Sequence, residues 1–194
     1  MDKQPLIDLF KKNRVLPDAA IEVMVGEYEE RHFDKNEYFL KQGRVSEALY
    51  LTGGFMRAYA FDREGNELTT NFFVPGSAVS EPASFFLRTE SMENIQAITE
   101  CQTYTISYDR MNKLFHSVPE FREFGREMLV KELVTLKQRT LAMIQKSAEE
   151  RYAALINEVP EIFQRVQLKY IASYLGVTDT SLSRIRKEFS KKAP

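Results

Sequence analysis

Residues 119–147 read PEFREFGREMLVKELVTLKQRTLAMIQKS, a stretch made mainly of strong helix formers. It holds no glycine after Gly125 and no proline after Pro119, so we predict a single helix about 40 Å long. A set of residues that we call the seam recurs along it at alternating steps of four and three: Leu129, Leu133, Leu136, Thr140 and Met143. Such spacing is typical of a coiled coil. The seam by itself favours a dimerisation helix and a buried helix of one globular domain equally.

Length and composition predict a soluble protein with one substantial core and a second, smaller one. No run approaches the roughly 18 apolar residues of a membrane span, and the first ten residues lack the apolar core of a signal peptide. A single cysteine, Cys101, excludes an intrachain disulfide and a metal site made only of cysteines. We therefore expect a cytoplasmic protein with no membrane partner.

Charge is unevenly divided along the chain, although the formal net charge is −1. From Pro160 onward seven Lys/Arg stand against three Asp/Glu, a net charge of +4, so the preceding residues sum to −5. A basic end on an acidic body is expected when only the end contacts phosphate. The alternative is that these cations complement helix C-termini. That alternative explains Lys191 and Lys192 better than Lys169.

The chain before the long helix is predicted to form two short helices around Pro17, in residues 5–28, and then short strands. Turn residues such as Gly53-Gly54 and Pro75-Gly76 separate the β-prone runs. The predicted strands are Arg31–Phe33, Tyr38–Leu40, Ala48–Thr52, Phe55–Phe61, Leu68–Phe73, Ile95–Ile98 and Thr103–Ser107. Short strands at this rhythm indicate a sandwich, jelly roll or barrel.

The chain after the long helix is predicted to be helical, with a helix over residues 149–157 and a helix-turn-helix over residues 167–187. Gly176 can adopt the left-handed conformation that ends the first helix of the motif, and Thr178 can cap the second. Its core is predicted to be Ile171, Leu175, Val177, Leu182 and Ile185. The opposite side carries what we call the recognition face: Asp179, Thr180, Ser183, Arg184 and Lys187. In helix-turn-helix proteins such a face contacts the major groove.

Three segments resemble parts of a cyclic nucleotide-binding domain. Residues 33–43 (FDKNEYFLKQG) resemble its opening hairpin, and residues 48–54 (ALYLTGG) resemble its strand and glycine turn. Residues 74–79 (VPGSAV) resemble the element that leads into its phosphate-binding segment. With the long helix and the helix-turn-helix, the whole chain is similar to the CRP/FNR family of bacterial transcription regulators. The resemblance implies a homodimer that binds DNA and acts with RNA polymerase, with either an unknown small-molecule effector or none, and no enzymatic activity.

The implied fold class is α+β. The resemblance divides the chain into a cyclic-nucleotide-binding-like sensor domain at 1–117, a dimerisation helix at 118–147 and a helix-turn-helix DNA-binding domain at 148–194. The sensor domain is expected to be a β-roll, also described as a double-stranded β-helix or jelly roll. Most family members follow the recognition helix with a β-hairpin wing, for which Pro194 leaves no room. We therefore expect a helical DNA-binding domain that lacks a full wing.

The resemblance also implies an effector pocket. Members that bind cAMP hold it with a Gly-Glu, an Arg-Ser and a Thr-Ser pair, and the matching pairs here are Ser80-Glu81, Ser91-Met92 and Leu136-Lys137. Arginine supplies the charge-assisted hydrogen bonds that a buried phosphate needs, and losing such a partner costs about 3–5 kcal/mol. We therefore do not expect cAMP to bind. Arg88 is a candidate substitute, and the helix N-terminus expected at residues 82–86 could still accept an anion.

Other sensor chemistries of the family lack their residues here. Oxygen-sensing members need several cysteines, and Cys101 stands alone. Haem-sensing members need dedicated axial ligands, and neither His32 nor His116 has that context. We therefore predict no cofactor and no metal site.

The resemblance places Arg184 where the family's arginine reads guanine, and an arginine–guanine pair is the commonest specific contact. Asp179 and Thr180 stand where many members have Arg and Glu, so a different DNA sequence is expected. The predicted DNA-contacting residues are Lys169, Thr178, Asp179, Thr180, Ser183, Arg184 and Lys187. Among the lysines, Lys169, Lys187, Lys191 and Lys192 are expected to contact phosphates, which position without specifying. We expect Lys191 to lie beyond the end of the recognition helix.

Two other functions stay open at this stage. The chain could be a ligand-binding or protein-interaction module whose DNA-binding segment is vestigial. A metal-dependent β-barrel enzyme ranks third, because the two histidines lack ligand spacing and no nucleophile–base pair is evident.

Overall fold

The computed structural model describes residues 3–12 and 16–192. Packing divides the chain into two compact units. The first unit consists of Met1–Ala58 and Phe72–Lys131, and the second consists of Tyr59–Asn71 and Glu132–Pro194. The three domains predicted from the sequence have other boundaries, so they remain a prediction.

Two helices open the first unit, as the sequence predicts: α1 (Gln4–Lys11) and α2 (Asp18–Gly26). Pro5 lies in the first turn of α1, where a missing N–H group costs no helical hydrogen bond. Both helices contribute to an apolar core with α4 (Tyr108–Ser117) and the start of α5 (Pro119–Gln145). The largest side chains of this core include Leu6, Phe10, Met24, Tyr28, Leu114, Phe121 and Phe124. These contacts hold the N-terminal end of the long helix in the first unit.

Within the residues that the structure describes, eight strands form two four-stranded sheets, with the orders β1-β8-β3-β6 and β2-β7-β4-β5. The strands are β1 (Glu29–Phe33), β2 (Tyr38–Leu40), β3 (Ala48–Gly53), β4 (Met56–Phe61), β5 (Glu67–Phe73), β6 (Ala78–Val79), β7 (Asn94–Ala97) and β8 (Cys101–Ile106). β8 pairs antiparallel with both β1 and β3. A second apolar core, which includes Phe33, Leu49, Met56 and Ile95, fills the β-roll. The predicted β-roll is confirmed, and the two-residue strand β6 is the one that the sequence did not predict.

Gly54 makes the tight turn between β3 and β4 possible. Its φ is +87°, which glycine adopts without strain. A side chain at this position would also overlap the carbonyl oxygen of Glu100. The predicted glycine turn is therefore required by both backbone conformation and space.

The long helix α5 matches the prediction to within two residues at its C-terminus. Its buried residues are Phe121 and Phe124, near its N-terminus. The apolar side chains farther along are exposed in the single chain: Leu129, Val130, Leu133, Val134, Leu136, Leu141, Met143 and Ile144. The four apolar residues of the seam thus all lie uncovered, which excludes the buried-helix reading for this part of α5.

The second unit contains the outer part of the β4–β5 hairpin, the C-terminal half of α5 and four further helices. These are α6 (Ala148–Glu158), α7 (Ile162–Arg165), α8 (Leu168–Leu175) and α9 (Asp179–Lys192). Ser147 and Glu150 form a capping box that starts α6. The ring of Tyr152 contacts Phe163 and Phe189, with centroids 5.1 and 5.2 Å away. Residues 146–192 contain helices and no strand.

Candidate nucleic-acid interface and effector region

Helices α8 and α9 form the predicted helix-turn-helix. Gly176 ends α8 with φ +68°, and its N–H donates to the carbonyl groups of Ala172 and Ser173. Val177 donates its N–H to the carbonyl oxygen of Ala172 at 3.0 Å. This is the glycine-terminated helix end that the sequence predicts. It fixes the angle at which the chain enters the second helix.

Thr178 caps α9, because its hydroxyl oxygen accepts the N–H of Ser181 at 3.2 Å. Leu182 and Ile185 anchor the helix in the core of the unit, with 1% and 2% of their surfaces exposed. Every residue of the recognition face is exposed: Asp179, Thr180, Ser183, Arg184 and Lys187. The fold therefore brings these five side chains together on one accessible helix face.

Besides Lys187 of the recognition face, three lysines were predicted to contact phosphates: Lys169, Lys191 and Lys192. Lys169 is exposed in the first turn of α8, where its ammonium group lies 4.9 Å from the ring centre of Tyr170. Lys191 is also exposed, but the prediction that it lies beyond the recognition helix is wrong, because α9 runs to Lys192. Residues 186–192 contain no glycine or proline that would end the helix earlier. The side chain of Lys192 lies outside the described residues.

Glu81 is the N-cap of α3 (Pro82–Leu87) in the first unit. Its carboxylate accepts the N–H groups of Ala83 and Ser84 at 3.1 and 2.7 Å. Half-buried Ser80 precedes it. The helix N-terminus that was expected to be open to an anion is thus capped by a carboxylate of the same chain.

Two buried serines hold this cap in place. The Ser84 hydroxyl accepts the N–H of Ser46 at 2.8 Å and donates to the carbonyl oxygen of Thr89 at 2.6 Å. The backbone N–H of Glu81 donates to the Ser46 hydroxyl at 3.2 Å. Both hydroxyl groups are fully buried, so the hydrogen bonds around Glu81 form a closed network.

The guanidinium group of Arg88 makes several contacts within the first unit. The backbone of Arg88 has a left-handed φ of +54°. Its guanidinium donates to the carbonyl oxygen of Ser46 at 2.9 Å and lies 3.5 Å from the carboxylate of Glu47. It also lies 4.7 Å from the ring centre of Tyr108. A move toward a ligand phosphate would break these contacts.

The pair that replaces Arg-Ser supplies no cation. Ser91 is buried, and its hydroxyl donates to the carbonyl oxygen of Glu93 at 2.9 Å. Met92 is 79% exposed. Leu136 and Lys137 lie on the part of α5 that belongs to the second unit, and both are exposed.

Comparisons with known proteins identify one domain family and several similar folds. Residues 30–118 match the family model of the cyclic nucleotide-binding domain. FixK2 from Bradyrhizobium japonicum has the same fold, with a TM-score of 0.73 at 17% identity over 85% of each chain. A CRP/FNR-family transcriptional regulator of Thermus thermophilus, TTHA1359, gives a TM-score of 0.68 at 18% identity over 85% of this chain and 87% of its own. The protein has the fold of CRP/FNR-family regulators.

The curated relatives of this chain are regulatory proteins. The fumarate and nitrate reduction regulatory protein of Yersinia pestis is 27% identical over 169 residues, covering 81% of this chain and 67% of its own. The anaerobic regulatory protein of Aggregatibacter actinomycetemcomitans is 25% identical over 169 residues, covering 81% of this chain and 65% of its own. The chain therefore spans about two thirds of the length of these relatives.

Cys101 and His32 each contact neighbouring groups of the chain. The Cys101 thiol is buried and donates to the carbonyl oxygens of Phe55 and Thr99. Burial raises the pKa of this thiol. His32 lies at the surface, 3.2 Å from the carboxylate of Glu30. Within residues 3–12 and 16–192, no group of three or more His, Cys, Asp or Glu side chains could hold a metal, and no helix could span a membrane.

Several residues that make contacts between distant parts of the chain were not predicted from the sequence. Ser46 and Glu47, which engage Glu81 and Arg88, lie in a loop with no motif of its own. Arg139 and Ser173 resemble ordinary polar helix residues in sequence, yet both contact β5. No local signal could have identified them, because each contact joins residues far apart in the chain.

Proposed function

We propose that this chain is a homodimeric, DNA-binding transcription regulator whose effector, if it has one, is not cAMP. The observation that carries the proposal is the recognition face. It places two cations, Arg184 and Lys187, beside short polar side chains on a capped, exposed helix anchored by Leu182 and Ile185. That arrangement suits entry into a major groove. Such a regulator would act with RNA polymerase in the cytoplasm.

Electrostatics supports DNA rather than a protein as the partner of this surface. The segment from Pro160 onward carries a net charge of +4 on an otherwise acidic chain. Lys169 on α8 and Lys187 and Lys191 on α9 are exposed, so all three can contact a phosphate backbone. An acidic body bearing a basic end would be repelled by DNA everywhere except at that end.

The exposed apolar side chains of α5 favour a second copy of the chain as the other partner. Leu133 is 66% exposed and Leu136 is 57% exposed in the single chain. Apolar side chains at heptad spacing lose water contact when two such helices pack side by side. A homodimer would also place two helix-turn-helix segments on one DNA molecule, which matches the two-fold symmetry of such binding sites.

The test of the proposal is binding to duplex DNA of random sequence at several salt concentrations. We expect binding near 50 mM salt that weakens as salt is added, with a log–log slope of about −0.9 for each phosphate contacted. Electrophoretic mobility shift would measure it. Failure to bind at low salt, or a slope near zero, would favour a ligand-binding or protein-interaction module with a vestigial DNA-binding segment.

Cyclic AMP is expected to bind poorly. Members that hold the cyclic phosphate use an arginine, whereas Ser91 and Met92 supply no charge and Arg88 is engaged with Ser46 and Glu47. The missing partner should raise the dissociation constant by about 10²–10⁴-fold. Isothermal titration calorimetry would measure it, and a micromolar dissociation constant would refute the expectation. In that event Arg88→Ala would show whether Arg88 had moved to the phosphate.

A further inference from the structure

The hydroxyl group of Ser173 takes the place of a neighbouring strand for β5. β5 is the last strand of its sheet, so one of its edges is not covered by a neighbouring strand of that sheet. Ser173, on α8, accepts the N–H of Thr69 at 2.8 Å and donates to the carbonyl oxygen of Glu67 at 3.1 Å. One side chain of the helix-turn-helix thus contacts two backbone groups of the hairpin, within the second unit.

Arg139 joins the same hairpin to the long helix. Its guanidinium donates to the carbonyl oxygen of Thr70 and lies 4.1 Å from the ring centre of Tyr174 on α8. Burial raises the pKa of the Tyr174 hydroxyl, in keeping with a ring covered by its neighbours. A single cation therefore contacts both β5 and α8 from α5.

Arg151 of α6 also contacts the C-terminal end of α8. Arg151, in the first turn of α6, donates to the carbonyl oxygen of Leu175 at 2.8 Å and to that of Lys146 at 2.7 Å. Leu175 is the last residue of α8, and Lys146 follows the last residue of α5. The helix-turn-helix is thus tied to α5 by Arg139, and to the residue that follows α5 by Arg151.

We infer that Arg139, Ser173 and Tyr174, together with Glu67, Thr69 and Thr70 of β5, form a clasp that sets the spacing of the two DNA half-sites. The inference rests on the proposed function. α5 carries the seam residues Leu133, Leu136 and Met143 in the same unit as the clasp. Fixing α8 against α5 would therefore fix the distance and angle of each recognition helix from the two-fold axis of the dimer.

The clasp would set the distance and angle between the two recognition helices, and it would not itself contact bases. Its residues lie on β5, α5 and α8, whereas the recognition face lies on α9. Arg139, Ser173 and Tyr174 are thus positioning residues. Removing one base pair between half-sites moves them by about 3.4 Å and turns them by about 35°. A clasped dimer cannot follow that change, but a dimer with a loosened clasp can.

The test compares wild-type protein with Arg139→Ala/Ser173→Ala on three DNA fragments. One is a fragment that the wild-type protein selects from random DNA, and the others have one base pair added or removed between its half-sites. We expect the changed spacings to weaken wild-type binding about tenfold or more, and to weaken binding of the double variant less than about threefold. The matched control is Lys131→Ala/Ser190→Ala, which removes an exposed lysine of α5 and a hydroxyl that donates to the carbonyl oxygen of Arg186 within α9. The control should discriminate spacings as the wild type does.

Hydrogen exchange of residues 67–71 tests the clasp without DNA. The Thr69 amide should exchange slowly in the wild type and the control, and faster in the double variant. If the double variant does not fold, Ser173→Ala alone should show the same change at Thr69. Unchanged exchange, or unchanged spacing discrimination, would overturn the inference. If the wild-type protein selects no DNA, the proposed function and the spacing effect both fail, and the exchange result still decides whether the clasp exists.

Discussion

Replacing Leu133 and Leu136 with aspartate is expected to convert the proposed dimer into a monomer. Both side chains are exposed in the single chain, so the change should leave the fold intact. In a parallel pair of α5 helices the new carboxylates would face each other in an apolar interface. Each lost leucine removes about 1.5–3 kcal/mol of apolar burial, and the interface would lose four. The dissociation constant should therefore rise on the order of 10³-fold or more.

Sedimentation velocity at micromolar concentration would measure this change. The matched control is Val23→Asp/Leu87→Asp, which replaces two equally exposed apolar residues that lie on α2 and α3. The control should stay dimeric if the seam is the interface. A seam variant that still sediments as a dimer would show that α5 does not join the two copies.

Replacing Arg184 with alanine is expected to reduce the difference between specific and random DNA. Arg184 is exposed one helical turn after Thr180 on the recognition face. A bidentate contact to guanine accounts for about 1–3 kcal/mol of discrimination, so the preference should fall about 5- to 150-fold at one base pair. Binding to random DNA should change much less.

Lys187→Ala and Lys191→Ala provide the comparison for Arg184→Ala. Both lysines are exposed on α9, and we expect them to contact phosphates. Each substitution should weaken specific and random binding alike and lower the salt slope by about one. Fluorescence anisotropy at several salt concentrations would measure both quantities. Equal losses on specific and random DNA for Arg184→Ala would show that the assumed recognition face is wrong.

Elements with strong local signals could be predicted from the sequence. The long helix follows from an uninterrupted run of helix formers, and the helix-turn-helix follows from Gly176 and Thr178 between apolar helices. The recognition helix was predicted too short, because Lys191 was expected to lie beyond its end, whereas α9 runs to Lys192. The strand β6 was missed because two residues carry no periodic pattern.

Contacts between distant residues could not be predicted. Thr69 and Ser173 lie 104 positions apart, and Thr70 and Arg139 lie 69 positions apart. A serine or an arginine on a helix has many possible partners, and only the folded chain selects one. The clasp is therefore a product of tertiary packing.

In the effector region, too, some features could be predicted from the sequence and others could not. The sequence identifies which charge is missing at Ser91 and Met92, because the resemblance places an arginine there. It does not reveal that Glu81 caps α3 or that Arg88 is engaged by Ser46 and Glu47. Those contacts depend on Ser46 and Glu47 in the loop before β3, and the sequence of that loop contains no motif that indicates them.

Selection of bound fragments from a random DNA pool tests the central claim most directly. The protein would be mixed with random duplexes at moderate salt, and the retained fragments would be sequenced after several rounds. A homodimeric helix-turn-helix regulator should enrich an inverted repeat whose half-sites lie about one helical turn, or 34 Å, apart. Two chains should bind each selected fragment. Failure to enrich any sequence, or enrichment of an asymmetric site bound by a single chain, would contradict the account.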